Sequence, residues 1–156
     1  MPESPMTRQQ LIDRLNEDLS REYQAIIAYV IYSQALKGPE YMNIAKELEK
    51  HAGEELEHAL KVAKHIDYLG GTPTATPLAV KVSDDARVML RADLENETET
   101  VRNYTERVQQ AEGLREYAIA EDLREILRDE QEHQIDLATA LGESVPDAAN
   151  ASRANR

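Results

Sequence analysis

Apolar residues recur at helical spacing along four long stretches of the chain. The first carries Leu11, Leu15, Leu19, Ile26, Tyr29 and Leu36 behind Thr7 and Gln10, which stand at capping-box spacing, and Gly38-Pro39 ends it. The second carries Ile44, Leu48, Val62 and Leu69 and runs to Gly70-Gly71. Residues 70–82, GGTPTATPLAVKV, hold Gly, Pro and Thr but no helical period. Ser83, followed by two Asp, predicts the N-cap of a third helix with Leu90, Leu94, Val101, Tyr104 and Val108, ending near Gly113. A fourth helix carries Ile119, Leu123, Ile126, Leu127 and Leu137, and Gly142 closes it.

Connection lengths predict how these helices assemble. Short links at 37–39 and near 113 make each sequential pair an antiparallel hairpin. The link 70–82 can span roughly 40 Å when extended, enough to return along a helix of about 30 residues. The expected fold is therefore an all-α four-helix bundle with one long crossover between the second and third helices. Residues 1–142 form this bundle, and 143–156, polar and interrupted by Pro146, read as a tail. Ile27, Val30, Ile31 and Tyr32 make the middle of the first helix apolar nearly all round. Either the core is generous there, or this face is buried against a second copy; the scarcity of large exposed apolar patches favours a homo-oligomer.

Composition narrows the function. The 156 residues include 30 acidic and 18 basic side chains, a net charge of −12, with no Cys, Trp or Phe. The missing Cys excludes thiolate zinc sites, iron–sulfur clusters, thiol nucleophiles and disulfides. An acidic chain repels phosphate backbones, so nucleic acid is a poor partner, and Arg153 and Arg156 are too few to make a DNA-binding arm. No stretch approaches the roughly 20 apolar residues that span a bilayer. MPESPMTRQQ lacks the basic and apolar regions of a signal peptide, so a soluble, cytoplasmic protein is expected.

The most informative feature is an internal repeat of 75 positions. Asp18, Leu19, Glu22, Tyr29 and Gln34 fall on Asp93, Leu94, Glu97, Tyr104 and Gln109, while Ile44, Leu48, Glu55 and His58 fall on Ile119, Leu123, Glu130 and His133. Glu22 precedes Glu55, and Glu97 precedes Glu130, by the same 33 positions. In each Glu-x-x-His the two side chains share one helix face, and all six residues lie on inner stripes. Four carboxylates and two imidazoles without sulfur suit iron or manganese, with zinc also possible. Four buried carboxylates also require counter-charge, and two divalent cations supply it; no Lys or Arg lies beside them on these stripes. The competing reading takes these Glu as ordinary surface residues among 20 in the chain, but a matched pair of motifs with matched flanks is hard to reach by accident.

Glu22, the segment Glu55-Leu-Glu-His58, DLENE ending at Glu97, and ILRDEQEH with Glu130 and His133 resemble the ferritin-like superfamily, and within it the bacterioferritins most closely. The resemblance runs from about residue 10 to 142. It implies two Fe ions per subunit, bridged by Glu55 and Glu130, with Glu22 and His58 completing one site and Glu97 and His133 the other. It also implies ferroxidase activity: Fe(II) oxidised by O2 or H2O2, for iron storage or detoxification. Three departures stand out. Leu56 occupies the position of the haem-ligating Met, so haem is not expected. The polar tail replaces the short fifth helix that helps close a 24-subunit shell. Zero Cys excludes the rubredoxin-like module of the rubrerythrins.

Tyr29 and Tyr104 follow Glu22 and Glu97 by seven residues on the same stripe. They fill the core or hydrogen-bond a ligand carboxylate, and their repeat symmetry favours the second role. His51, flanked by Glu47 and Glu54, has Ile126 as its repeat counterpart; a structural His is expected there over an iron relay, and His65 is read as structural. Two rival functions remain: a non-storage di-iron or Fe/Mn redox enzyme such as a peroxide reductase, and a helical interaction module whose Glu and His are incidental.

Overall fold

In a computed structural model of the chain, residues 5–148 are described. Helix α1 (Arg8–Ala35) is followed by a 3₁₀ turn (Pro39–Tyr41), α2 (Met42–Tyr68), α3 (Ala86–Gly113) and α4 (Tyr117–Leu141). Helix α1 packs against α2 and α3, and α4 against α3 and α2, the expected four-helix bundle. None of these helices is long and apolar enough to cross a membrane.

The helix ends follow local chemistry. At α1 the backbone N–H of Gln10 donates to Thr7 Oγ1 (3.1 Å) and that of Thr7 to Gln10 Oε1 (2.8 Å), a complete capping box. At α3 the cap is Asp85 rather than Ser83. Asp85 Oδ1 accepts from the N–H groups of Arg87 and Val88, and Ser83 Oγ only accepts from Asp85 N, holding the turn before the helix. A carboxylate complements the positive helix N-terminus better than a hydroxyl does. Gly142 closes α4 in the left-handed conformation (φ 71°). Between α3 and α4 the left-handed residue is Arg115 (φ 62°), two positions beyond Gly113, which is still helical.

The crossover lies along α1 as a ladder of polar contacts. Asn16 holds both Thr72 O and Thr74 N, Ser20 O accepts from Leu78 N, Gln24 donates to Ala79 O, and the Tyr32 hydroxyl donates to Lys81 O. The segment is thereby carried from one end of the bundle toward the other. Its entry needs Gly71, where a Cβ would come within 2.5 Å of Ile12 Cγ2.

Buried side chains form two apolar clusters. Leu11, Leu15, Leu19, Val62, Ile66, Tyr104, Ile119 and Leu123 belong to one; Tyr29, Leu36, Leu48, Met89, Leu90, Leu137 and Leu141 belong to the other. Buried Glu22, Glu55, His58, Glu97, Glu130 and His133 fall on the same four helices between these sets of positions. At the surface, Ile27 and Val30 of α1 are exposed, joined by Leu56 and Leu60 of α2. Tyr32 does not belong to that outer face: it is 1% exposed, its ring in the core. The segment 143–148 carries no helix but packs back on the bundle, where Gln134 donates to Pro146 O and Ala148 is buried. Arg153 and Arg156 lie outside the described residues.

Candidate metal centre

The i, i+3 geometry of α2 and α4 aims Glu55 with His58, and Glu130 with His133, into the bundle, where α1 adds Glu22 and α3 adds Glu97. None of the six is more than 3% exposed. Their donor atoms form two overlapping groups: Glu22, Glu55, His58 and Glu130, and then Glu55, Glu97, Glu130 and His133. Within each group one donor atom per residue lies within 4.8 Å of the others, and Glu55 and Glu130 belong to both.

The shared carboxylates span the two halves. Glu55 sets Oε2 3.1 Å from His58 Nδ1 and Oε1 2.9 Å from His133 Nδ1. Glu130 does the same, with Oε1 2.9 Å from His58 Nδ1 and Oε2 3.4 Å from His133 Nδ1. Glu22 Oε2 stands 3.8 Å from His58 Nδ1, and Glu97 Oε1 stands 3.9 Å from His133 Nδ1. Several of these atoms are buried without a hydrogen-bond partner: Glu22 Oε2, Glu55 Oε1, Glu97 Oε2, Glu130 Oε2 and His133 Nδ1. Such atoms cost stability unless something coordinates them, and carboxylate with imidazole suits a divalent metal.

Groups that the sequence reading left out hold these donors from behind. His58 Nε2 lies 2.9 Å from Asp129 Oδ2, and His133 Nε2 lies 3.0 Å from Glu54 Oε2. Glu54 and Asp129 are themselves repeat counterparts, four residues before each His, so a period search extended to all acids would have found them. Each acid serves the His of the other half, which fixes Nδ1 as the inward atom. The tyrosines cross over in the same way: Tyr29 donates to Glu97 Oε1 and Tyr104 to Glu22 Oε1, both at 2.5 Å. Of the two readings for these residues, both hold, because the rings fill the core while the hydroxyls bind the carboxylates.

Crowding of like charge sets the protonation of the metal-free cluster. Burial, then the neighbouring Glu130, pushes Glu55 well above the usual carboxylate range, and Glu97 likewise. For Glu130 burial also acts upward, but the neighbouring Glu97, His133 and His58 outweigh it and hold the carboxyl well below that range. Burial opposes the charged imidazoles, yet the nearby Glu130 prevails, raising His58 strongly and His133 to about 10. Protons thus occupy the centre that cations would neutralise.

One cation was missed. Arg107, from α3, grips buried Asp18 through Nε (2.6 Å) and an Nη (3.0 Å), one helical turn from Glu22. It neutralises Asp18 rather than any of the four glutamates, and because the bond crosses between helices it leaves no trace in spacing along one helix. The counterpart of Arg107 is Tyr32, and the counterpart of Asp18 is Asp93, whose Oδ2 lacks a hydrogen-bond partner. Burial pushes the Asp93 carboxyl to about 8 against the pull of His133.

His51 and His65 have surface acids as partners. His65 Nε2 lies 2.7 Å from Asp122 and His51 Nε2 lies 3.1 Å from Asp136. His51 is 2% exposed, more buried than its sequence context suggested, and burial followed by His133 lowers it to about 4. Leu56 is exposed on α2 and offers no sulfur.

Comparison with known proteins agrees with this fold. The model of the ferritin-like domain family matches residues 12–144. A bacterioferritin of Brucella melitensis biotype 1 is 29% identical over 154 residues, covering 93% of this chain and 94% of its own length. A bacterioferritin of Streptomyces coelicolor is 28% identical, covering 87% of this chain and 86% of its own length. Among solved structures, a ferritin-like, diiron-carboxylate protein from Bacillus anthracis str. Ames superposes with a TM-score of 0.82 at 36% identity over 87% of this chain and 99% of that chain. A dodecameric thioferritin, the bacterioferritin-related protein from Bacteroides fragilis, gives a TM-score of 0.81 at 26% identity, over 88% of this chain and 87% of that one. The chain belongs to the ferritin-like domain family, close to the bacterioferritins.

Proposed function

We propose that the chain is a ferroxidase that takes Fe(II) in pairs at the six-residue centre and oxidises it with O2 or H2O2, in iron storage or detoxification. Glu55 and Glu130 would be shared by the two ions, with Glu22 and His58 completing the ligands of one and Glu97 and His133 those of the other. The observation that carries this reading is the placing of one oxygen of each shared carboxylate toward each histidine. The donor set also fits Mn or Zn, which would occupy it without the same oxidation chemistry.

The redox balance is simple. Each Fe(II) gives up one electron, and a pair supplies the two that, with two protons, reduce O2 to H2O2 or H2O2 to water. The chain fixes the spacing and charge of the pair and handles the protons. Protons held on Glu55, Glu97 and the two imidazoles leave as Fe(II) enters. Asp129 and Glu54 keep each imidazole turned with Nδ1 inward, and Tyr104 and Tyr29 restrain the terminal carboxylates.

The working form is a homo-oligomer, at least a dimer, built on the exposed Ile27, Val30, Leu56 and Leu60, and it works in the cytoplasm. Neither nucleic acid nor membrane is a partner, and Leu56 leaves haem without its sulfur ligand. A second reading, a peroxide-reducing enzyme that stores no iron, is favoured by the segment 143–148, which carries no helix and packs back on the bundle. Fe(II) loading followed by sizing tests both. Many irons retained per chain in a large closed assembly supports storage. Two irons per chain in a small assembly turning over H2O2 supports the enzyme. Failure to bind Fe(II) or Mn(II), with no change in oxidation on Glu55→Ala, rejects both.

A further inference from the structure

The segment that leaves α4 folds back on the bundle much as the crossover folds back on α1. Both Nη groups of Arg91 on α3 donate to the Glu143 carboxylate, Nη1 at 2.6 Å. The repeat counterpart of Arg91 is Asn16, the residue that holds Thr72 and Thr74 at the start of the crossover. Each helical pair is thus followed by a segment anchored from the same position of the pair's first helix. Beyond that anchor the halves differ. Gln134 of α4 is 2% exposed, and its Nε2 donates to two acceptors, Thr98 Oγ1 of α3 (3.0 Å) and Pro146 O of the overlying segment (3.2 Å). Buried Ala148 donates its backbone N–H to the same carbonyl (3.0 Å). The counterparts of Thr98 and Gln134 are Tyr23 and Ala59, and Ala59 has no side-chain donor.

This clasp adjoins one half of the metal centre. Thr98 follows Glu97 in α3, and Gln134 follows His133 in α4. It therefore joins the same two helices as the approach of Glu97 Oε1 to His133 Nδ1 (3.9 Å), one residue along each. Pro146 lines two clefts, one of about 420 Å³ that includes Thr98 and one of about 240 Å³ that includes Gln134, so the Thr98–Gln134 bond lies under the segment with a cleft on either side. A buried amide that has both N–H groups engaged is costly to unmake. Its two acceptors belong to separate pieces of chain, so movement of either one pulls on Gln134.

We propose that Gln134 is a positioning residue for the Glu97–His133 half of the centre, and that segment 143–148 is the strap that holds it in place. The amide sets the spacing of α3 and α4 beside Glu97 and His133, so that this half meets a cation with its donors already placed. The Glu22–His58 half has no such clasp and is independent of the strap. This role rests on the di-metal reading.

Zn(II) is the probe, since it is redox-inert, and single-site backgrounds of the full-length protein separate the halves. Glu22→Ala leaves the Glu97–His133 site, and Glu97→Ala leaves the Glu22–His58 site. Equilibrium dialysis gives the dissociation constant in each, with circular dichroism to establish that every variant is folded. Gln134→Met keeps the side-chain volume and removes both hydrogen bonds. It should weaken Zn(II) about tenfold at the Glu97–His133 site and leave the Glu22–His58 site unchanged. Ala148→Glu, which puts a charge at the buried end of the strap and leaves Gln134 intact, should weaken the same site alone. Equal weakening in both backgrounds, as a purely structural role would give, overturns the proposal, and so does no weakening in either. Selective weakening by Gln134→Met with none by Ala148→Glu overturns the strap. Fewer than two Zn(II) at the centre of the unsubstituted protein rejects the di-metal reading itself, and this role falls with it.

Discussion

The two halves of the bundle, α1–α2 and α3–α4, agree at some positions and part company at others, and the dividing line is chemical. Glu22, Tyr29, Glu54, Glu55 and His58 each have an equivalent across the repeat, in Glu97, Tyr104, Asp129, Glu130 and His133. These residues are cross-connected, each tyrosine and each outer acid serving the opposite half. One step outward the match ends. Asp18 is held by Arg107, whereas Asp93 has Tyr32 at the corresponding place, and Tyr32 bonds the crossover instead. His51 faces solvent acids where Ile126 packs in the core. Twofold likeness is kept around the six-residue centre, where the proposed pair of cations would need equal surroundings, and is lost where either packing or an ion pair suffices.

Removing a shared carboxylate breaks the likeness most severely. Glu55→Ala or Glu130→Ala should abolish paired metal binding and slow Fe(II) oxidation at least 100-fold, read by metal stoichiometry and stopped-flow absorbance. Glu22→Ala should spare the Glu97–His133 site, leaving one metal per chain. Equal loss from both kinds of substitution would show that the bridging assignment is wrong.

The Asp18 and Asp93 pair gives the sharpest contrast in stability. Arg107→Met strands a buried carboxylate and should cost about 3–5 kcal/mol in urea unfolding. Asp93→Asn should act in the opposite sense in the metal-free protein, raising stability at pH 7, because burial lifts this carboxyl from 3.8 to about 8.

The same shift sets a pH dependence. A raised folded-state pKa gives stability that is complete below the unfolded value and is lost as pH rises through the folded value. For Asp93 that window runs from 3.8 to about 8, and for His133 from 6.5 to about 10. The metal-free protein should therefore lose stability from pH 5 to 9, and Asp93→Asn should flatten the part below pH 8. Thermal unfolding across a pH series measures it; a metal-free protein that gains stability over this range would contradict the assignment.

The smallest expected effect concerns the two hairpin turns. Gly38 takes positive φ in the first, but in the second the task falls to Arg115. Arg115→Gly should stabilise by about 0.5–1 kcal/mol, since a side chain at φ 62° is strained.

What could be read from the chain follows the same division. Helical spacing, the Thr7 capping box and the two Glu-x-x-His motifs depend on neighbours along one helix, so sequence displays them directly. The 75-residue repeat carried the inference from one half to the other. Arg107–Asp18, Asp129–His58 and Glu54–His133 depend on how helices are rotated against each other, which no single helical period encodes. The capping of α3 by Asp85 depended on which of three adjacent candidates the turn presents to the open N–H groups. The burial of His51 required knowing that α4 brings His133 against it.

The central claim is that two metals sit side by side between Glu55 and Glu130. Anomalous diffraction at the iron edge, from crystals loaded with Fe(II) under anaerobic conditions, tests it most directly. The account predicts two peaks per chain about 3.5–4 Å apart, the separation usual for paired metal sites. One should be flanked by Glu22 and His58 and the other by Glu97 and His133. A single peak, or none within the cluster, would contradict it.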